Sequence, residues 1–395
     1  MNMKKIVWLV VAGVCTLSAF GKEKGKDGGK IPGDESVEVF APNIKGSPYK
    51  KIRIPCIVNA GGLLIAAAEG RYEDEDQGKN DIIVSVSSNG GNTWSKPTIA
   101  AKSDGGSTLN NPCLIYDTAT KQTVCMYQRY PAGQKERDIS TLDLNDPKAL
   151  RNFVIFSKNG KTWTKPVEVT KMTRHEDCAT SCSGPNPGVL LTRGAHKGRL
   201  VVAFNEAVRF GAWHITAAYS DDHGVTWKMS SGRTQDGGIN EVSSVETEDG
   251  GVLVVSRDQN CGGKKFVSRS EDGGDTWSTA TTHEELPCPR CQNGLTRYSF
   301  SDDESRGSRG RILFSGPSGS GTQRVNGIVK MSYDDGKTWP VGKLVAPGYF
   351  AYSALCPLKP GYVGLLYEGP NDTIRFIKIS IKWLTNGEDS GLKKK

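Results

Sequence analysis

The sequence predicts an all-β fold, a six-bladed β-propeller, and three observations support this fold class. An eight-residue pattern, S-x-D-x-G-x-T-W, returns along the chain at intervals of about 50 to 70 residues. Short runs rich in β-branched and aromatic residues lie between the copies, and no stretch shows a sustained helical period. Several strands per repeat favour a radial propeller over a sandwich, because a sandwich would not repeat its turns so regularly.

The repeated pattern is interpreted as a structural turn. Three copies are complete, at 220–227 (SDDHGVTW), 270–277 (SEDGGDTW) and 332–339 (SYDDGKTW). A fourth, 87–94 (SSNGGNTW), has Asn89 for the aspartate, and a fifth, 156–163 (FSKNGKTW), keeps glycine, threonine and tryptophan. Asp or Asn accepts backbone N–H groups in a turn, Gly tolerates positive φ, and Trp packs beneath it. We therefore expect the acids of these boxes to stabilise blades and to take no part in catalysis.

The composition is that of an ordinary globular chain with a basic excess. Of 395 residues, 36% are hydrophobic and 24% are charged, and the formal net charge is +8. Much of the excess falls in the lysines of 22–30 and 393–395, which are typical of solvated ends. Positive charge favours encounter with anionic substrates. No nucleic-acid-binding motif accompanies it, so nucleic acid is not an expected partner.

The N-terminal residues have the pattern of an export signal. Residues 1–21 combine Lys4 and Lys5 with an apolar run and a small-x-small ending, which predicts a signal peptide. We expect a flexible lead-in over 22–36, one propeller domain over 37–384 and a basic tail over 385–395. No later segment approaches the roughly 20 apolar residues of a transmembrane helix. The expected location is secreted or periplasmic, with lipidation of Cys15 as the less favoured alternative.

The cysteines bear on disulfides and metal binding. Nine of the ten follow residue 21, and an odd number leaves at least one thiol without an intrachain partner. The pairs Cys178/Cys182 and Cys288/Cys291 could suggest zinc, but they lie over a hundred residues apart and no histidine cluster is near them in the sequence. Disulfides or buried thiols are favoured, and neither a metal nor a cofactor is predicted.

Three arginines outside the repeats indicate an anion-binding site. Arg53 lies in KIRIP, Arg257 closes the strand-like run GVLVVSR, and Arg324 lies in QRVN. The innermost strands of a propeller bring their ends to one mouth of the central axis. A guanidinium binds a carboxylate through two parallel hydrogen bonds, so three arginines converging there would form a strong anion clamp.

These motifs resemble the bacterial-type exo-α-sialidases, a family marked by an Arg-Ile-Pro motif, repeated Asp boxes and a three-arginine site. The resemblance extends from about residue 39 to 383. It implies that Arg53, Arg257 and Arg324 hold the carboxylate of sialic acid and that Glu368, in LYE, orients Arg53. The implied substrates are sialylated glycoproteins, glycolipids or oligosaccharides.

The resemblance also implies the catalytic residues. Asp76, in EDQG, matches the acid/base aspartate, and Arg71, in EGR, matches a further arginine that contacts the sugar. Tyr352, in AYSAL, matches the nucleophile, and Glu241, in NEV, matches its partner base. A phenol suits this substrate because an anionic nucleophile would approach a carboxylate on the anomeric carbon against like charge.

The implied reaction is a double displacement with retention, through a covalent tyrosyl intermediate. Two alternatives remain open at this point, namely a trans-sialidase and a propeller that binds sialic acid without cleaving its glycoside. The pocket for the acetamide group is assigned only to candidates, the segment 108–112 and Trp213.

Overall fold

The computed structural model describes residues 31–42, 46–235 and 237–393. The predicted signal peptide and residues 22–30 of the lead-in lie outside the described residues. From residue 31 onward the chain forms one compact unit, built almost entirely from antiparallel strands. Among the described residues, no helix is both long enough and apolar enough to cross a membrane.

The strands are numbered in chain order. The first nine are β1 (Val37–Phe40), β2 (Lys51–Ala60), β3 (Leu63–Arg71), β4 (Asn80–Ser87), β5 (Thr98–Ala101), β6 (Thr108–Asp117), β7 (Gln122–Tyr130), β8 (Arg151–Ser157) and β9 (Val167–Glu168). The next nine are β10 (Cys178–Ser183), β11 (Val189–Leu190), β12 (Leu200–Val208), β13 (Trp213–Ser220), β14 (Lys228–Met229), β15 (Ile239–Glu246), β16 (Val252–Asp258), β17 (Gly263–Ser270) and β18 (Thr281–Cys288). The last seven are β19 (Gly294–Ser299), β20 (Arg311–Pro317), β21 (Val325–Ser332), β22 (Val341–Tyr349), β23 (Ser353–Pro357), β24 (Tyr362–Glu368) and β25 (Ile374–Ser380).

Helical structure in the described residues is limited to short turns. The 3₁₀ turns are Pro32–Glu35, Glu136–Asp138, Thr170–Met172 and Glu304–Arg306, and the α-helix α1 is Ile381–Leu384. The prediction of an all-β fold is therefore confirmed at the level of secondary structure.

The prediction of six separate blades is wrong. The described strands form five hydrogen-bonded sheets, four of blade size and one of eight strands. The blade-sized sheets are β10–β14, β15–β18, β19–β22 and the sheet ordered β1-β25-β24-β23. The eight-stranded sheet contains β2 to β9, and one parallel bridge between Asn80 of β4 and Thr108 of β6 makes it continuous. The arrangement is propeller-like with four blades and one double-sized sheet.

The apolar core lies between consecutive sheets. One cluster joins β2–β4 to the β1-β25-β24-β23 sheet through Ile57, Leu64 and Phe376, which are at most 2% exposed. Corresponding clusters lie between each later pair of neighbouring sheets, and another lies within the eight-stranded sheet. Burial at roughly 25 cal/mol per Å² makes this face-to-face packing the main stabilising contribution. The ring closes where β1 pairs with β25.

The repeated boxes form the turns that follow β4, β8, β13, β17 and β21. In the box after β21, Asp334 accepts the backbone N–H of Thr338 at 2.9 Å and the Thr338 hydroxyl at 2.7 Å, while Ser332 accepts the N–H of Gly336 at 2.8 Å. The degenerate copy after β8 is one residue shorter, and Asn159 and Ser157 supply the equivalent bonds. Side chain-to-backbone bonds of this kind fix a turn without any role in catalysis.

The nine cysteines in the described part of the chain are all free thiols. Eight are buried, and Cys261 is partly exposed. The buried-thiol alternative therefore holds for the described residues, and the disulfide alternative does not. Cys178 lies near His175 and Glu206, whose side-chain donors gather within 4.8 Å. His175 Nδ1 bonds Glu206 at 2.6 Å, and Arg233, which pairs with Asp177, places its Nη1 3.7 Å from the Cys178 sulfur.

Candidate active site

The candidate site lies at one edge of the sheets. In an antiparallel pair, the start of one strand faces the end of the next, and Arg53 near the start of β2 pairs with Glu69 near the end of β3. Glu241 near the start of β15 and Arg257 near the end of β16 meet in the same way. Ser87, where the first box begins, pairs with Leu64 at the other end of β3. The box turns and the candidate site thus occupy opposite ends of the strands.

The Arg-Ile-Pro segment forms a strained bulge that supports the first clamp arginine. Ile54 has φ +62°, which is unusual for a β-branched residue, and the register of β2 shifts between Arg53 and Cys56. The buried Glu368 carboxylate accepts Arg53 Nε at 2.6 Å and the Ile54 N–H at 2.9 Å. It also accepts the Tyr352 N–H at 3.3 Å. One carboxylate therefore fixes both the arginine and the segment that carries the tyrosine.

Tyr352, Glu241 and Arg257 form a hydrogen-bonded group. The Tyr352 hydroxyl donates a short hydrogen bond to Glu241 Oε1. Arg257 Nη1 lies 2.8 Å from Glu241 Oε2 and 3.0 Å from the Tyr352 hydroxyl. A buried phenol bonded to a carboxylate has a base within reach of its proton, which is the arrangement of an activated nucleophile.

The three predicted clamp arginines meet around Tyr352. The guanidinium carbons of Arg53 and Arg324 each lie 5.1 Å from the centroid of the Tyr352 ring, and Arg257 bonds its hydroxyl. Arg324 is further held by the Arg290 carbonyl at 3.2 Å. Three guanidinium groups from β2, β16 and the start of β21 thus surround one point. Such a concentration of positive charge favours a carboxylate ligand.

Asp76 and Arg71 stand beside this group. Arg71 donates from Nε to Glu69 at 2.9 Å and from Nη2 to the same oxygen at 2.7 Å, and its Nη1 makes a short ion pair with Asp76. Arg71 and Glu69 are buried, whereas Asp76 is exposed on the loop between β3 and β4. Desolvation, the largest single cause, raises the pKa of Asp76, but the charge and hydrogen bond of Arg71 together with the charges of Arg53 and Lys51 outweigh it, so that this pKa is lowered overall. Asp76 is therefore ionised at neutral pH in the unliganded protein.

The environment of Tyr352 keeps its hydroxyl protonated. Burial raises the pKa of this phenol well above its ordinary value, and the Glu241 carboxylate raises it further. The Arg257 and Arg324 charges lower it by less. The Tyr352 phenol is therefore neutral in the unliganded protein, and Glu241 is the base within reach of its proton.

The sequence interpretation missed several residues that shape the site. Buried Glu69 holds Arg71 and accepts the N–H of Asn111 at 2.9 Å and Asn110 Nδ2 at 3.0 Å. Its spacing of two residues from Arg71 on one strand was the available signal, because side chains two apart share a face. Cys291 packs against Tyr352, and buried Lys265 donates to its carbonyl.

The acetamide-pocket candidates lie on two different strands, β6 and β13. Asn110 and Asn111 of the segment 108–112 contact Glu69 beside Arg71. Trp213 begins β13, where it pairs with Ala207. The structure thus links 108–112 with the candidate site through Glu69.

Residues 62–364 match the BNR repeat-like domain family, and the chain belongs to that family. Its curated relatives include a sialidase of Micromonospora viridifaciens, 31% identical over 85% of this chain, and a sialidase of Bacteroides fragilis, 26% identical over 84%. These matches support the bacterial-type exo-α-sialidase family that the sequence motifs resemble. The chain spans only 52% and 62% of the length of these two relatives.

Solved structures support the same fold. The Hadza microbial sialidase superposes with a TM-score of 0.76 at 27% identity, over 85% of this chain and 67% of its own. An intramolecular trans-sialidase from Ruminococcus gnavus superposes with a TM-score of 0.76 at 20% identity. The match covers 90% of this chain and 99% of the Ruminococcus gnavus chain. At that identity the second likeness concerns the fold alone.

Proposed function

We propose that the protein is a retaining exo-α-sialidase that hydrolyses terminal sialic acid from glycoproteins, glycolipids or oligosaccharides. One observation carries this proposal: the Tyr352 hydroxyl bonds Glu241 while Arg53, Arg257 and Arg324 surround it. The arginines supply a carboxylate clamp, and the phenol lies where the carbon bearing that carboxylate would rest. Sialidases among the curated relatives add to this support.

The proposed reaction has two displacements. Tyr352 Oη attacks the anomeric carbon and gives its proton to Glu241, while the glycosidic C–O bond breaks and the leaving oxygen takes a proton from Asp76. Water then attacks the same carbon and gives a proton to Asp76. The phenolate leaves and recovers its proton from Glu241. Each carboxyl ends in its starting state, and two inversions give net retention.

Transfer is the second candidate, because intramolecular trans-sialidases from the leech and from Ruminococcus gnavus share this fold, although the likeness at 20% identity concerns the fold alone. The leech protein is described in complex with 2,7-anhydro-Neu5Ac. Both outcomes use the same first displacement and differ in the group that attacks the intermediate. The distinction therefore depends on the product and not on the clamp.

The test is product analysis with 3′-sialyllactose. We expect the purified protein to release free sialic acid, whose first-formed anomer is α when followed by NMR. Accumulation of an anhydro or transferred sugar in place of free sialic acid would establish transfer instead. Saturable binding of sialic acid with no bond cleavage would identify a non-catalytic sialic-acid-binding protein.

We also propose that the protein is exported, on the basis of the signal-like pattern in residues 1–21. Mass spectrometry of the mature protein, recovered from the periplasm or the medium, should show an N-terminus near Lys22. A lipid-modified Cys15 would establish the alternative anchored form. A cytoplasmic protein that retains Met1 would contradict export.

A further inference from the structure

One further carboxyl group, that of Glu136, stands beside the candidate site without an assigned role. Glu136 begins the 3₁₀ turn Glu136–Asp138, on the loop between β7 and β8. The preceding Lys135 pairs its ammonium with Glu75 at 2.8 Å, next to Asp76. This ion pair joins the Glu136 loop to the loop that carries the proposed acid. Two loops from different parts of the eight-stranded sheet therefore flank the site together.

The surroundings of Glu136 place it at the site and not at a separate surface. Its carboxyl interacts electrostatically with Glu241 and Arg257, which bond the proposed nucleophile, and with Asp76. The Tyr130 hydroxyl and the Cys182 thiol also interact with it. Both lie in an apolar cluster with Ile139 and Leu150. Glu136 thus stands between an apolar surface and the polar residues of the site.

The carboxyl has no internal partner. Within the described parts of the chain it forms no hydrogen bond and no ion pair, although its residue is mostly covered. Its oxygens are not among the fully buried polar atoms that lack a partner, so they still contact solvent, and a bound sugar can displace that water and bond them. A second carboxyl group beside the substrate carboxylate would be unfavourable because like charges repel, and the three arginines already hold that carboxylate. The neutral substituents of the sugar are therefore the groups that Glu136 suits.

We propose that Glu136 contacts the bound sugar away from its carboxylate and donates a hydrogen bond to a hydroxyl or acylamino substituent, which makes it a specificity-determining residue. This inference rests on the proposed function and deepens it. Donation requires the protonated form of the carboxyl, since an ionised carboxylate only accepts.

The charge state of Glu136 agrees with that role. Burial first, and the neighbouring charges of Glu241 and Asp76 after it, raise its pKa to about 7 against the opposing charge of Arg257. Below pH 7 the group is mostly neutral and can donate. Above pH 7 it becomes a further negative charge beside Asp76 and Glu241, and it repels an anionic substrate. Affinity for the sugar should therefore fall as the pH rises through about 7.

The test compares Glu136→Gln and Glu136→Ala with the wild type on 4-methylumbelliferyl sialoside. If only the protonated form binds, KM of the wild type rises about tenfold between pH 6 and pH 8. Glu136→Gln keeps a hydrogen-bond donor that does not titrate, so the KM of this variant should change less than about threefold between pH 6 and pH 8. At pH 6 its KM should lie within about threefold of the wild-type value. Glu136→Ala should raise KM about tenfold at pH 6 with kcat nearly unchanged, because one hydrogen bond to the sugar is lost.

The matched control is Asp138→Asn, which removes a carboxylate from the same turn. Asp138 is exposed, and its Oδ1 lies 3.5 Å from Nε of Arg137. Its replacement should therefore leave the dependence of KM on pH as it is in the wild type. The inference would be overturned if KM depended on pH in the same way for the wild type and Glu136→Gln. A KM for Glu136→Ala within twofold of the wild-type value at pH 6 would also overturn it. A loss confined to kcat would do the same.

Failure of the proposed function can be told apart from failure of this inference. Calorimetric binding of free sialic acid at pH 6 and pH 8 needs no turnover. If the wild type binds but does not cleave, the hydrolase proposal fails while the same comparison of variants, now in Kd, still tests Glu136. If the wild type neither cleaves nor binds, both proposals fall.

Discussion

Tyr352→Phe is expected to lower kcat on a sialoside by about 10³-fold or more while KM changes little. The substitution removes the oxygen that bonds Glu241 and Arg257 and leaves the ring between Arg53 and Arg324. The clamp can still bind the carboxylate, but no phenol remains to attack the anomeric carbon. Steady-state kinetics on 4-methylumbelliferyl sialoside measure the effect.

Tyr127→Phe is the matched control for this experiment. Tyr127 is 2% exposed, and its ring stacks on that of Phe153 with 5.8 Å between the ring centroids. The substitution therefore also removes the hydroxyl of a buried tyrosine but leaves the site intact. Its kcat should equal that of the wild type. Glu241→Gln should resemble Tyr352→Phe, because the amide cannot take the phenolic proton. A Tyr352→Phe enzyme with kcat within tenfold of the wild type would show that another group is the nucleophile.

Asp76→Asn is expected to separate substrates according to their leaving groups. A positioned acid contributes about 10² to 10⁴-fold when the leaving oxygen needs a proton. The loss on sialyllactose, whose leaving group is an alkoxide, should therefore reach that size. An aryl sialoside releases a stable phenolate and should lose far less. Rates on the two substrates, measured side by side, give the ratio.

The ion pair between Arg71 and Asp76 makes the rate on sialyllactose depend on pH. Because the pKa of Asp76 is lowered, its protonated fraction falls about tenfold for each pH unit above that pKa. The rate on sialyllactose should therefore decrease from acidic toward neutral pH, and more steeply than the rate on an aryl sialoside. The neighbouring Asp74→Asn serves as the control, since Asp74 is exposed on the same loop. Equal losses for Asp74→Asn and Asp76→Asn would reject the assignment of Asp76.

Local sequence patterns predicted the strands and turns of this fold better than its sheets. The boxes fix turns through contacts within eight residues, so their chemistry is visible in the sequence. The single bridge between Asn80 and Thr108 depends on how two loops pack, and no local pattern encodes it. Six repeats of strands were therefore expected to give six sheets, whereas this bridge gives five.

The residues of the site also divide into those that the sequence predicts and those that only the folded structure reveals. The convergence of Arg53, Arg257 and Arg324 was expected from their positions near strand ends and from the family resemblance. Glu136 had no such signal, because it lies in an irregular loop and its neighbours, Glu241 and Asp76, are distant in sequence. Only the fold brings these three carboxyl groups close enough to affect one another.

The pairing of β1 with β25 constrains the order in which the molecule can assemble. Residues 37–40 and 374–380 are neighbours in one sheet although about 330 residues separate them along the chain. Sheets such as β15–β18 use contiguous sequence and can form as soon as that sequence is available. The closing sheet must wait for both of its distant segments, and joining them carries the largest loop entropy in the fold. Until then β25 presents an open edge, a template for pairing with another chain, so the protein is most prone to aggregate in the interval before closure.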